Sequence, residues 1–192
     1  MEETKMINWP TGEYREKGWR LMYFDAAIEA IKPTSIIEIG TNRGHTAHKL
    51  VRRALQYNNT VHYIGYDLFE LANDETNKRE RNGKGIGSYS YAANKLKKIQ
   101  SSNPGVTFEL HRGFTTDTLT SPMIADFVFI DGGHSYETVK HDYSMVKDSR
   151  IIFFDDYNLP GVKQFCDEIG AINLMPYQSK RKIAYVYNDI SK

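Results

Sequence analysis

From residue 20 to residue 187 the chain alternates short apolar runs with longer stretches in which apolar residues recur at helical spacing. A strand buried on both faces reads as a continuous apolar run, and a helix laid on a sheet shows one apolar stripe, so this alternation predicts parallel strands joined by crossover helices. The runs place strands at 35–39, 61–66, 106–110, 126–130 and 150–154, with a closing pair near 171–175 and 182–187. Helical period is clearest in Ala47, Leu50, Val51, Ala54 and Leu55, which share one face. Leu21, Phe24, Ile28 and Ile31 form such a stripe before the first strand, Tyr136, Val139, Tyr143 and Val146 after the fourth, and Val162, Phe165, Cys166 and Ile169 after the fifth. The last two strands are joined by a few residues around 178–180, too few for a crossover, and should form an antiparallel hairpin. The expected fold is α/β: a doubly wound, mostly parallel Rossmann-like sheet with a C-terminal antiparallel hairpin.

A chain of 192 residues suits one domain, 1–192, with residues 1–19 as an N-terminal extension. Twenty-five Lys and Arg against 24 Asp and Glu leave a net charge of +1, which gives no global attraction to nucleic acid or to an anionic membrane. The apolar runs 127–130 and 151–154 are four residues each, far short of a membrane span, and the first residues, MEETKMINWPTG, contain no apolar leader segment. The single cysteine, Cys166, excludes an internal disulfide, falls on a core-facing stripe and fits a reducing, cytoplasmic setting. One segment, 70–88, breaks the rhythm: it is polar, holds three glycines and is too long for an ordinary connection, so it reads as a mobile lid. Seven Lys or Arg against one acid between residues 78 and 98 make that region locally basic.

In open parallel sheets ligands bind beyond the carboxyl ends of the strands. Here those ends read Glu38-Ile-Gly40, Tyr66-Asp67, His111-Arg-Gly113, Ile130-Asp131-Gly and Phe154-Asp155-Asp156. One Asp at a strand end is usually a turn former or a helix cap. Five acids on one rim need a ligand or cation to offset their repulsion, which is roughly 4 kcal/mol for two carboxylates about 4 Å apart at an effective dielectric near 20. Asp131, Asp155 and Asp156, with no thiolate and no His-x-x-x-His spacing, suit a hard divalent cation, Mg²⁺ first. His134, three residues beyond Asp131, lies on the turn into the next helix.

The first of these loops, Glu38-Ile-Gly40-Thr41-Asn42-Arg-Gly44, offers backbone N–H groups and a helix N-terminus to a ligand. Against the dinucleotide pattern G-x-G-x-x-G it fails at the second and third glycines, occupied by Asn42 and His45, and Glu38 would repel a pyrophosphate while suiting an ammonium. Asp67, 23 residues after Gly44, is placed to accept the hydroxyls of a ribose.

These motifs resemble the class I S-adenosylmethionine-dependent methyltransferases, over roughly residues 20–187. The resemblance implies that Gly40, Thr41, Asn42 and Gly44 pass beneath the methionine portion of S-adenosylmethionine, that Glu38 holds its amine, that Asp67 holds the ribose, and that Gly113 and Phe114 flank the adenine. The runs Phe129-Ile-Asp131-Gly-Gly-His134-Ser-Tyr-Glu137 and Ile152-Phe-Phe-Asp155-Asp156-Tyr157 are similar to the metal-dependent small-molecule O-methyltransferases related to macrocin O-methyltransferase. That similarity implies Mg²⁺ or another hard divalent cation on Asp131, Asp155 and Asp156, with His134 or Asp131 as the base and a small-molecule hydroxyl as acceptor. Competing readings are a nicotinamide-dependent oxidoreductase, opposed by Glu38 and the broken glycine pattern; a nucleic-acid methyltransferase, supported only by the basic segment; and a receiver module, which would want a lysine at a neighbouring strand end.

Overall fold

The computed structural model describes residues 7–10, 19–80, 85–174 and 182–188. Its centre is a seven-stranded sheet in the order β3-β2-β1-β4-β5-β7-β6. The strands are β1 (Ser35–Ile39), β2 (Val61–Asp67), β3 (Val106–Arg112), β4 (Phe127–Ile130), β5 (Ile151–Phe154), β6 (Ile172–Asn173) and β7 (Ala184–Tyr187). The first five pair in parallel, and β7 lies antiparallel to both β5 and β6. The doubly wound sheet and its antiparallel closing pair are thus as the sequence predicts, while the connection read at 178–180 lies outside the described residues.

Alternation along the strands divides the core in two. Ile36, Tyr63, Phe127, Phe129, Ile151 and Phe153 face α1 (Trp19–Ile31), α2 (His45–Ala54) and α4 (Tyr89–Ser102). Ile37, Ile39, Ile64, Val128, Ile152 and Phe154 face α6 (Tyr136–Val146) and α7 (Pro160–Glu168), with Leu119 at the end of the short α5 (Thr115–Thr118). The predicted stripes are the buried ones: Ala47, Leu50, Val51 and Ala54 on α2, Phe24, Ile28 and Ile31 on α1, and Val162, Phe165 and Cys166 on α7. Cys166 is fully buried, and burial pushes its thiol up to about 12, as suits a packing residue. Phe24 meets Phe129 and Phe153 edge-on at 4.8 and 5.0 Å, which fixes α1 on the sheet.

Strand order reverses between β1 and β4, and there the loops leaving the strands diverge to opposite faces and open a crevice. Each loop at this rim is bonded to the neighbouring strand. Gly40 N–H donates to the Tyr66 carbonyl at 2.8 Å, Gly113 N–H to Asp67 at 3.0 Å, Asp131 N–H to Ile39 at 2.7 Å and Asp155 N–H to Ile130 at 2.9 Å. Four of the five predicted strand-end loops therefore start in register, which brings their side chains to one edge. Among the described residues no helix is long and apolar enough to cross a membrane.

Segment 70–88, expected as a loop, contains structure. A 3-10 turn (Phe69–Leu71) leads into α3 (Asp74–Arg79), whose Asn73 and Thr76 form a reciprocal capping box. No residue of α3 is buried, so the helix depends on its cap and on one anchor, Glu80. The polar composition hid the helix because there is no apolar stripe to read.

Candidate active site

A cavity of about 410 Å³ opens at the switch point, within the range of small-molecule sites. Of the residues predicted to hold a cofactor, Gly40, Asn42, Asp67, Gly113, Phe114 and Asp131 line it. Asp67 accepts the Asn42 N–H at 2.7 Å and the Phe69 N–H at 2.5 Å, which orients its carboxylate at the end of β2. The returning chain closes over this corner: Ser88 N–H reaches the Asn42 carbonyl at 3.2 Å, and a β-carbon on Gly87 would lie 3.1 Å from Asp67 Oδ1.

Glu38, Thr41 and Gly44 stand outside the cavity lining. Glu38 is 1% exposed and accepts the Tyr63 hydroxyl at 2.5 Å; the Thr41 hydroxyl, 3.1 Å from the same phenol, completes the chain as donor. Burial pushes the Glu38 carboxyl up to about 8, opposed by the Tyr63 hydrogen bond and by Arg20 and reinforced by Asp131. Gly44, with φ 67°, caps α2 and packs on Ala92, 3.1 Å from where a β-carbon would sit.

Below the cavity edge, ligand atoms of Asp131, His134 and Asp156 lie within 4.8 Å of one another. His134 is 4% exposed, and its Nδ1 lies 2.8 Å from the Glu80 carbonyl, so Nδ1 carries the proton it donates there. Nε2 then faces the two carboxylates, 3.2 Å from Asp156 Oδ2, without hydrogen-bond geometry to any described residue. A ring lone pair aimed at carboxylates requires a cation between them, either a proton or a metal ion. Burial lowers the His134 pKa, but Asp156, the Glu80 carbonyl and Asp131 outweigh it and raise it above the usual histidine value. Two carboxylates and one imidazole nitrogen fit a divalent ion of the Mg²⁺ or Mn²⁺ kind, and the nitrogen favours Mn²⁺.

Asp155, predicted as a third metal ligand, is placed differently. Its buried carboxylate carries the Arg20 guanidinium, which also lies 3.6 Å from Asp131 and over the ring of Phe129. Arg20 was not singled out in the sequence, although a cation four residues before the buried Phe24 on α1 is the signal it left. Glu80 was missed as well. Its carboxylate accepts the Ser135 N–H at 3.2 Å, Arg79 Nε at 3.0 Å and the Thr138 hydroxyl at 3.3 Å, tying the end of α3 to the turn that carries His134. Burial alone would raise the Glu80 pKa; those donors bring it below the usual value.

The sequence profile of the methyltransferase domain family matches residues 37–157. No curated protein sequence matches the chain. Among solved structures, the O-methyltransferase from Bacillus cereus in complex with SAH is 16% identical with a TM-score of 0.58, over 94% of this chain and 85% of that one. The O-methyltransferase TomG from Streptomyces achromogenes, involved in tomaymycin synthesis and solved with SAM, is 14% identical with a TM-score of 0.56, over 86% and 78%. Cofactor-bound Rv0187 from MTB is 15% identical with a TM-score of 0.59, over 94% and 84%.

Proposed function

Because the chain belongs to the methyltransferase domain family, whose class I members use S-adenosylmethionine, we propose that it methylates a hydroxyl oxygen of a small molecule with the help of a divalent cation. The observation that carries this reading is the position of Asp131, which both lines the 410 Å³ cavity and belongs to the cluster with His134 and Asp156. A donor held in the cavity and an acceptor oxygen held at the cluster then meet across one residue.

The cofactor supplies a methyl group on a sulfonium centre. Methyl transfer to the acceptor oxygen would release the demethylated thioether, and a side chain of the protein would take the hydroxyl proton. Asp67 would accept the ribose hydroxyls, while the Gly40–Asn42 backbone and the Gly113–Phe114 turn, which line the same cavity, would hold the rest of the molecule. Fixing both reactants in near-attack geometry contributes up to roughly 7–11 kcal/mol to such a reaction. A divalent ion bound at Asp131, His134 and Asp156 would supply Lewis acidity that lowers the pKa of the acceptor hydroxyl.

His134 has one ring nitrogen to offer, because Nδ1 is committed to Glu80. It either ligates the ion or takes the proton. The donor set favours ligation, which leaves the proton to Asp131 or Asp156. Calorimetry with S-adenosylhomocysteine, NAD and Mn²⁺ on the whole chain tests the proposal: the first and third should bind. Tighter binding of NAD than of S-adenosylhomocysteine would overturn it.

A further inference from the structure

α2 and α4 lie side by side on one face of the sheet, and neither helix contains an acidic residue. Gly44, at the start of α2, packs on Ala92 of α4, which brings the cations of the two helices together. His45 and His48 of α2 both stand in the field of Lys49 and Lys95, with Arg43 added at His45 and Arg52 at His48. Burial and these cations hold both imidazoles below the usual histidine value. The acids of α1 beside them are engaged, since Asp25 and Glu29 pair with Arg53 at 3.5 and 3.4 Å. Glu70, at the N-terminal end of α4, accepts the Tyr89 N–H at 2.9 Å. Arg52, Lys95 and Lys98 are left without an acid in ion-pair reach among the described residues.

Along α4 runs a shallow groove of about 550 Å³, lined by Tyr91, Asn94, Lys95, Lys97, Lys98 and Ser101. Tyr91 is 49% exposed, with the Lys95 ammonium 4.9 Å from its ring centroid and the His45 ring 6.1 Å away. Leu50, Val51, Leu96 and Ile99 all turn into the core, so no aliphatic side chain of either helix is exposed. A membrane surface would be met by exposed aliphatic side chains, whereas a nucleic-acid strand needs cations for its phosphates and a ring on which a base can stack. The chain carries a net charge of only +1, so attraction of a polyanion has to come from such a local segregation of cations. We infer that the α2–α4 face binds single-stranded nucleic acid, with Arg52, Lys95 and Lys98 on the phosphates and Tyr91 against a base. The inference goes beyond the methyl-transfer reading and does not depend on it. It gives a use to the basic stretch ending at Lys98, half of which was visible in the sequence; the other half, α2, joins it only in the fold.

The test is fluorescence anisotropy of the whole chain with a labelled mixed-sequence RNA of about 15 nucleotides, and with the single-stranded DNA of the same sequence. Affinity should fall about 50-fold between roughly 50 and 200 mM salt, as expected when about four cations replace counterions. Lys95→Glu/Lys98→Glu and Arg52→Glu should each weaken binding at least about tenfold and flatten the salt dependence, whereas Lys147→Glu, at the end of α6 on the opposite face of the sheet, should stay within about twofold. Should the charge reversals lower the melting temperature, Lys95→Gln/Lys98→Gln and Arg52→Gln carry the same comparison. Tyr91→Ala should lose at least about fivefold with the salt dependence kept, and Tyr91→Phe should retain wild-type affinity. No binding of either strand at low salt, or losses on α2 and α4 no larger than in Lys147→Glu, overturns the inference. Undiminished binding by Tyr91→Ala, or equally tight binding of polyphosphate of the same charge, overturns the assignment of a base to Tyr91 and with it the nucleic acid. Phosphatidylserine vesicles bound more tightly than either strand would make this a membrane surface instead. None of these residues lines the cofactor cavity, so failure here leaves the methyltransferase reading intact, and loss of S-adenosylhomocysteine binding leaves this one intact.

Discussion

Arg20 and Asp155 form an ion pair between the first turn of α1 and the end of β5, 135 residues apart in sequence, and the guanidinium also approaches Asp131. The chain thereby places a fixed cation between two of the three carboxylates that sequence reasoning assigned to a metal. Asp155 is buried, so its charge is compensated by a residue of the protein itself.

Removing that compensation should be costly. Arg20→Met leaves a buried carboxylate facing Asp131 and should lower stability by about 3 kcal/mol, most of it restored in Arg20→Met/Asp155→Asn. Denaturant unfolding of the three variants measures the coupling. The same charge opposes a divalent ion at Asp131, so Arg20→Met should bind Mn²⁺ about tenfold more tightly. Asp155→Asn in an otherwise wild-type chain should leave Mn²⁺ affinity within about threefold, whereas Asp156→Asn should weaken it by about tenfold or more. Equal losses in the two Asn variants would return Asp155 to the ligand set.

The sheet and the rim were legible because both depend on short-range pattern. Short continuous apolar runs such as Phe127–Ile130, bounded by turn residues and too short for a helix, read as strands buried on both faces, and the residue after each run then lies at the rim. Side-chain direction beyond the rim was not legible, because it is set by partners distant in sequence. Glu38 turns under the sheet edge to Tyr63, 25 residues away, and Asp155 turns to Arg20. Asp142, an acid between Val139 and Val146 in an otherwise apolar stripe, is likewise buried, at the cavity wall.

Gly40 illustrates the same limit. Its place in the first loop suggested room for a cofactor, yet a β-carbon there would fall 2.1 Å from the Asp131 carbonyl oxygen, and its φ of +96° disfavours any side chain. Gly40→Ala should therefore cost about 2–3 kcal/mol and weaken S-adenosylhomocysteine and Mn²⁺ together, because Asp131 serves both. Gly44→Ala, with 3.1 Å to Ala92 and φ +67°, should cost about 1 kcal/mol and leave Mn²⁺ binding unchanged. Melting curves and calorimetry on the pair decide it; loss of S-adenosylhomocysteine binding alone in Gly40→Ala would mean that the added side chain acts on the cofactor directly and not through Asp131.

Buried Glu38 and Asp142 give stability a pH dependence of definite sign. Their carboxyls are raised to about 8 and about 7 in the folded chain. Each therefore contributes stability that is fully present below its ordinary, unfolded value near 4 and is lost as pH rises through the folded value. Between pH 4.5 and 8 these two groups should make the protein progressively less stable, by a few kcal/mol. Glu38→Gln still accepts the Tyr63 hydroxyl and cannot ionise, so it should flatten that slope and melt higher than wild type at pH 8. Parallel slopes in Glu38→Gln and wild type would mean that Glu38 is ionised throughout.

His134 faces a choice that spectroscopy can read directly. With Nδ1–H fixed on the Glu80 carbonyl, Nε2 holds a metal ion, a transferred proton, or neither. If it is a ligand, pulsed paramagnetic resonance of bound Mn²⁺ should show coupling to an imidazole nitrogen, and His134→Ala should lose that coupling together with at least tenfold in affinity. Mn²⁺ and a proton then compete for Nε2, and because the His134 pKa is raised, wild-type affinity should fall as pH drops through a value above the ordinary 6.5. His134→Ala should lose this acid-side fall. If His134 is the base instead, bound Mn²⁺ shows no nitrogen coupling, its affinity survives in His134→Ala, and turnover drops by about 10²–10⁴. Glu80→Gln separates the two further, since it keeps the Glu80 carbonyl on Nδ1 but weakens the carboxylate's hold on Ser135 and Thr138. Amide exchange over Asp74–Arg79 should then quicken while the nitrogen coupling persists, which would place α3 over the site as a closing element and leave His134 oriented by the backbone alone.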